Sequence, residues 1–299
     1  MADSPHFIHD SLLGHVPNPG FSGSGFGTSF HTIDADGLRF SGEVPVSSDG
    51  SILAVGDSFT YGDEVRDLES WPAQLQRLTG RRVLNGGVTG YGFDQIVLRG
   101  EQLADVYKPS VIIVSFIPED IERTEMRCMW WRDKPWSAIE DDQLVIKGVP
   151  VPDRPRPPPQ IRLWIERILL ELPLILQHLA GYHIRAHPDG FGLSIVQRLV
   201  ERLAKMQADR HVKIIVMAQY SPYFWRHKAL VDKHRRLTQA VLNCAATHGL
   251  ATLDTFQRLA TEPKPLDFYG LAHLTARGNL MIASLLAATM PSLEARKVS

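Results

Sequence analysis

The sequence predicts a three-layer α/β/α sandwich built on a parallel sheet of about five strands. Three observations carry this expectation. Short apolar runs recur at residues 52–55, 82–84, 111–116, 212–218 and 250–253, each about the length of a buried strand. Helix-period segments at 68–78, 93–107, 193–207, 228–248 and 275–289 separate or follow them, and strict strand–helix alternation means parallel strands joined by crossovers. The chain of 299 residues is 44% hydrophobic, enough to enclose a full core, and α/β folds of this size are commonly a single domain.

Taken in order, residues 1–50 precede the first core strand and are rich in Gly, Ser and Pro. They read as an N-terminal extension. Within it, residues 30–40 are interrupted by Asp34, Asp36 and Gly37, the turn chemistry of a hairpin. Residues 51–299 form the main domain, with an insertion at about 122–189. That insertion holds a second expected hairpin at 143–151, a polyproline link at 152–159 and an amphipathic helix at 161–180. It follows the third strand, whose carboxyl end is where open α/β sheets bind ligands, so it is the expected source of substrate selectivity.

The bulk numbers exclude several classes. A formal net charge of -1 offers no basic excess for neutralising phosphates, so neither nucleic acid nor an anionic membrane surface is an implied partner. The 161–180 stretch carries Arg162, Glu166, Arg167, Glu171 and Pro173, which argues against a membrane span and for a helix packed on the body or a lid over an apolar site. Two separated cysteines, Cys128 and Cys244, make neither a disulfide framework nor a metal site. The first ten residues show no basic region followed by an apolar run, which predicts a cytoplasmic protein.

The chemistry begins at the end of the first strand, where Gly56, Asp57, Ser58, Phe59 and Thr60 stand in sequence. A serine on a strand-to-helix turn presents its hydroxyl at the sheet's carboxyl edge, and the helix start supplies an N–H that can stabilise negative charge. This stretch resembles the nucleophile block of the SGNH, or GDSL, hydrolase family. It is not the Gly-x-Ser-x-Gly elbow of the α/β-hydrolases, because position 60 is Thr and the block lies at the first strand of the sheet.

Asn85, Gly86, Gly87, Val88, Thr89, Gly90, Tyr91 and Gly92 after the second strand are similar to the family's second block, with Gly90 at its oxyanion glycine. As a dinucleotide loop the glycines come in the wrong order, and Gly20, Gly23, Gly25 and Gly27 lack a preceding strand and read as loop. His273, followed by Leu274, Thr275, Ala276, Arg277 and Gly278 before an apolar helix, is similar to the last block, which implies a general base. His183 and His187 have i,i+4 ligand spacing but no evident third ligand, so they read as a surface helix and no metal is implied. Asp36 to Arg39, reading Asp-Gly-Leu-Arg, resembles a branch of the family that carries an N-terminal extension.

Two positions depart from the family's pattern. Glu119 stands where the third block has an asparagine that donates to the oxyanion. A carboxylate only accepts, and two like charges about 4 Å apart repel by about 4 kcal/mol at an effective dielectric of 20. Glu119 is then protonated, turned away, or facing a cationic substrate group, with Arg123 and Arg127 as candidate partners. Gly270 fills the family's acid position three residues before the histidine, and Asp267 is the nearest acid, six before. A Ser58–His273–Asp267 triad and a Ser–His dyad assisted by a carbonyl both stay open. Asp254 reads as the cap of the helix that follows it.

The resemblance implies a flavodoxin-like SGNH hydrolase fold and cleavage of carboxylic esters, thioesters or O-acetyl groups of a small-molecule substrate, with no cofactor. The route is an acyl-Ser58 intermediate, with His273 as base and the N–H groups of Ser58 and Gly90 holding the oxyanion. A catalytically degenerate protein that binds a glycan or acyl ligand, and an acyltransferase using the same nucleophile, are the alternatives.

Overall fold

The computed structural model describes residues 6–25, 29–44, 50–129, 132–154 and 184–295, with the single positions 168, 172 and 176. The chain enters through two antiparallel hairpins, β1 (Phe7–Asp10) with β2 (Gly14–Pro17) and β3 (Ser22–Ser24) with β4 (Phe30–Thr32). The backbone N–H groups of Asp36 and Leu38 donate to Asp34 Oδ1, both at 2.9 Å. This turn sets Ile33 opposite Arg39, and Arg39 in turn bridges to Asn85. The extension is thus stitched to the edge of the main sheet.

The main domain runs β5 (Ile52–Val55), α1 (Ser58–Tyr61), α2 (Trp71–Thr79), β6 (Val83–Asn85), α3 (Phe93–Tyr107), β7 (Val111–Phe116) and α4 (Pro118–Arg123). Four short strands follow, β8 (Cys128–Met129), β9 (Arg132–Asp133), β10 (Trp136–Glu140) and β11 (Gln143–Lys147). The chain then continues through α5 (Gly192–Arg210), β12 (Lys213–Ala218), α6 (Pro222–Arg226), α7 (Lys228–Thr247), β13 (Ala251–Asp254), α8 (Phe256–Ala260) and α9 (Ala276–Ala295). Each apolar run of the sequence is a strand of one five-stranded sheet, ordered β13-β12-β7-β5-β6, and every pairing in it is parallel.

Alternation along each strand divides the core into two layers. Leu53 and Val55 of β5, and Ile112, Val114 and Phe116 of β7, face the layer of α3, α5 and α7. Ile52 and Ala54, with Val111 and Ile113, face the layer of α2 and α9. Both faces are covered, so the strands read as unbroken apolar runs. The first strand of the sheet lies between the second and the third, which puts the reversal of winding at β5 and β7. The crevice outside the carboxyl ends of these strands is where such sheets hold ligands.

The expected hairpin at 143–151 lies earlier, as β10 paired with β11. Asp141 and Asp142 turn it with φ of 47° and 61°, both left-handed. Two aspartates advertise such a turn less than the Gly148-Val149-Pro150 stretch beyond. Most of the helix expected at 161–180, most of the link at 152–159, and His183 fall outside the described residues. Among the described residues no helix is long and apolar enough to cross a membrane.

Candidate active site

The turn after β5 has room for one residue type at its first position. A Cβ on Gly56 would stand 2.1 Å from Thr60 Oγ1 and 2.8 Å from the Ser115 carbonyl. Asp57 caps α1, accepting the Phe59 N–H at 2.9 Å. Ser58 therefore opens the helix, buried to 4% exposure, with its hydroxyl at the sheet edge. The loop after β6 is laid against this turn. Gly86 N–H donates to Ala54 O at 2.8 Å and Val88 N–H to Gly56 O at 3.0 Å, and a Cβ on Gly87 would meet Tyr61 N at 2.4 Å. Three residues beyond Gly87, Gly90 takes φ +79°, a conformation that glycine adopts without strain. Among the described residues, the N–H groups of Ser58 and Gly90 have no acceptor.

His273 reaches this edge from the loop before α9. Its Nε2 lies 2.8 Å from Ser58 Oγ, and its Nδ1 lies 3.2 Å from Glu64 Oε1. The sequence reading did not single out Glu64. Its carboxylate also accepts the Leu271 and Ala272 N–H groups, both at 2.9 Å, so one acid orders the whole approach to the histidine. A carboxylate only accepts, which assigns the hydrogen to Nδ1 and leaves Nε2 to accept from the Ser58 hydroxyl.

Gly270 explains why the carboxylate at the imidazole comes from a segment distant in sequence. A Cβ at Gly270 would sit 2.4 Å from Glu64 Oε2. The Glu64 carboxyl occupies the space that a side chain at the family's acid position would need. Asp267 is exposed, and among the described residues its carboxylate has no hydrogen bond or ion pair. The structure therefore puts Glu64, not Asp267, at the imidazole. The sequence signal for it was paired: an absent acid at 270 and two acids, Asp63 and Glu64, just past the Ser58 turn.

Asp63 is fully buried and lies beneath the histidine, its Oδ2 3.9 Å from Nε2. Thr89 Oγ1 donates to its Oδ1 at 2.5 Å. Burial pushes its pKa up to about 6, with Asp57 adding to the rise, while His273, Thr89 and Arg39 hold it back. For His273, burial disfavours the charged ring. The Glu64 hydrogen bond and the charges of Asp63, Asp57 and Glu64 outweigh this and raise its pKa above the ordinary value. Glu64 moves the other way: burial acts against its charge, but His273 and the two backbone N–H groups lower its pKa.

Glu119 takes the Ser221 hydroxyl on Oε1 at 2.6 Å. Its Oε2 is buried, with no partner among the described residues. The expected pairing with Arg123 and Arg127 does not occur. Arg123 binds Asp120 Oδ1 at 2.5 Å, the Tyr91 carbonyl at 3.1 Å and Asp57 Oδ2 at 3.4 Å, because the i,i+3 carboxylate lies on its own helix face. Arg127 lies over the Trp136 ring, 5.8 Å from its centroid. Arg123 thus ties the third block to Asp57, the cap of the helix that Ser58 opens, and to the second block. Asp254 accepts the Phe256 N–H at 2.9 Å and pairs with Arg235 at 2.6 Å, but it ends β13 and the N-cap of α8 is Thr255, so Asp254 is not the cap the sequence suggested.

A doubly wound parallel sheet with a serine, an imidazole and a carboxylate aligned at its switch point has the parts of an acyl-transferring hydrolase. The chain belongs to the GDSL-like lipase/acylhydrolase family, whose model matches residues 54–280, and this class acts on ester bonds. No curated protein matches the chain. Among solved structures it is similar to a lipase/acylhydrolase from Enterococcus faecalis, with 12% identity, a TM-score of 0.51, and 84% of this chain and 100% of that one covered. It also matches a lipolytic protein of the G-D-S-L family from Desulfitobacterium hafniense DCB-2, with 13% identity, a TM-score of 0.48 and coverage of 80% and 99%. The first of these likenesses shows the shared fold.

Proposed function

We propose that the protein is a serine esterase in which Ser58, His273 and Glu64 form the triad. The observation that carries this is the Ser58 Oγ to His273 Nε2 contact of 2.8 Å with Nδ1 held on Glu64 at 3.2 Å. Ser58 Oγ attacks the ester carbonyl as its proton passes to Nε2. The imidazolium then returns that proton to the departing alkoxide, leaving an acyl-Ser58 ester. Water gives a proton to Nε2 and its oxygen to the acyl carbon, and Ser58 leaves reprotonated with a free carboxylic acid as product. The N–H groups of Ser58 and Gly90 face the oxyanion. Glu119 has its Oε1 taken by Ser221, so the hole relies on these backbone donors.

The complete serine–imidazole–carboxylate line favours turnover over ligand binding alone. The substrate is a small-molecule ester, thioester or O-acetyl group. A cytoplasmic location is part of this reading, since two cysteines so far apart in sequence, Cys128 and Cys244, make no disulfide framework. The test is reaction with a fluorophosphonate, read by intact mass, alongside turnover of p-nitrophenyl acetate. Wild type is expected to gain one phosphonyl group and to hydrolyse the ester, and Ser58→Ala to do neither while melting as wild type does. Undiminished phosphonylation of Ser58→Ala refutes the assignment.

A further inference from the structure

The family match begins at residue 54, yet the residues before it grip the loops that carry Glu64 and Gly90. We infer that the N-terminal segment is part of the catalytic apparatus and that Arg39 is a positioning residue for Glu64; this rests on the reading of Glu64 as the triad's acid.

Glu64 rides on the loop leaving α1, which no sheet strand pairs. Arg39, with a fully buried side chain, supplies that loop's missing donors. Its Nη1 donates to the carbonyls of Tyr61 and Gly62, both at 2.5 Å, and its Nη2 to Val65 O at 2.6 Å. Its Nε donates to Asp67 Oδ1 at 3.2 Å. Ser29 Oγ, from the same segment, donates to Asp63 O at 3.1 Å. The carbonyls on both sides of Glu64 are therefore held by groups from residues 29 and 39. Gly62 is shaped for this clamp: its φ is +86°, and a Cβ there would lie 2.9 Å from Arg39 Nη1. The clamp is itself anchored, because Arg39 N–H donates to Asn85 O at 3.0 Å beside the sheet edge.

A planar fork that satisfies three carbonyls from one buried point is a task for guanidinium and not for ammonium. Without it those buried carbonyls lose their donors, and the loop must open to find water. The same segment holds the second loop. His15 Nε2 bonds Thr89 O at 3.0 Å, and Tyr91 and Gln95 donate back to His15 O at 2.6 Å and Leu13 O at 2.8 Å. Thr89 immediately precedes Gly90, so the segment braces both sides of Ser58.

The experiment is a double-mutant cycle on the full chain. Arg39→Gln and Arg39→Lys are made alone and in a Glu64→Gln background, with p-nitrophenyl acetate kinetics, the pH profile of kcat/KM and Tm measured for each. Misplacing a catalytic group by about 1 Å costs up to about 100-fold, so Arg39→Gln is expected to lower kcat about 10- to 100-fold with KM within about twofold. Its low-pH limb is expected to move to lower pH, because His273 loses the Glu64 charge. In the Glu64→Gln background the same change is expected to cost less than about threefold more. Arg39→Lys keeps the charge but not the fork, and provides the same comparison if Arg39→Gln fails to fold. Additive losses, or an unmoved pH limb in a folded Arg39 variant with lowered kcat, overturn the inference, as does unchanged kcat. A Glu64→Gln variant with wild-type kinetics refutes the underlying triad instead, and is told apart by that result alone.

Discussion

Replacing Glu64 by Gln keeps the size of the side chain and removes the charge facing His273. Opposite unit charges 3.2 Å apart attract by about 5 kcal/mol at an effective dielectric of 20. The Glu64 side chain is 19% exposed, and solvent reduces this further, to about 3 to 4 kcal/mol of imidazolium stabilisation. In rate, that is about 100- to 1,000-fold in kcat. The pH dependence has a definite sign. The proposed mechanism needs neutral His273, so kcat/KM is expected to rise with pH through its pKa. Glu64 contributes to the rise of that pKa above the ordinary value, so Glu64→Gln moves the limb to lower pH even as the plateau drops. Stopped-assay kinetics with p-nitrophenyl acetate from about pH 4 to 9 read both effects. Asp267→Asn, which alters an exposed carboxylate away from the imidazole, is expected to leave both unchanged. The room at Gly270 offers a stricter check: Gly270→Asp in a Glu64→Ala background is expected to regain at least about 10-fold in kcat over Glu64→Ala alone. Glu64→Gln within threefold of wild type, with Asp267→Asn losing more, refutes the reasoning.

Asp63 makes a prediction about stability. Its pKa stands at about 6 instead of the ordinary 3.8, so its contribution to folding is present below about pH 3.8 and is lost as pH rises through about 6, amounting to about 3 kcal/mol. Asp63→Asn is neutral throughout, and urea unfolding should show it gaining on wild type by about that amount between pH 4 and 8; parallel stability curves exclude the effect. Gly90→Ala places an L-residue at φ +79°, at a cost of about 1 kcal/mol, and turns its N–H from the oxyanion. Michaelis kinetics are expected to show kcat about 100-fold lower with KM little changed, and a wild-type kcat removes Gly90 from the oxyanion hole.

The fold was legible because its determinants are local. A strand buried on both faces must be an apolar run, as Val111–Phe116 is, and a helix covering one face of the sheet must carry an apolar stripe, as Phe93–Tyr107 does. The meeting of Ser58 and His273 at one sheet edge was legible for a related reason: each sits in a short block whose neighbours are constrained by backbone geometry, such as the crowded Gly56. The carboxylate that meets the imidazole was not legible, because nothing local marks Glu64. What selects it is the space vacant at Gly270, 206 positions further along and brought against Glu64 Oε2 by the packing of two loops. Arg39 stood out only as part of a family-like stretch, and its role depends on carbonyls 22 to 26 positions away turning toward one buried guanidinium. Arg123 looked like a partner for Glu119 by helical spacing, but helix α4 aims it at Asp120, Asp57 and the Tyr91 carbonyl. The sequence by itself determined the periodic elements and the glycine-constrained turns. Which carboxylate meets the imidazole was decided by side-chain volume and donor satisfaction between distant segments, and only the tertiary structure brings those together.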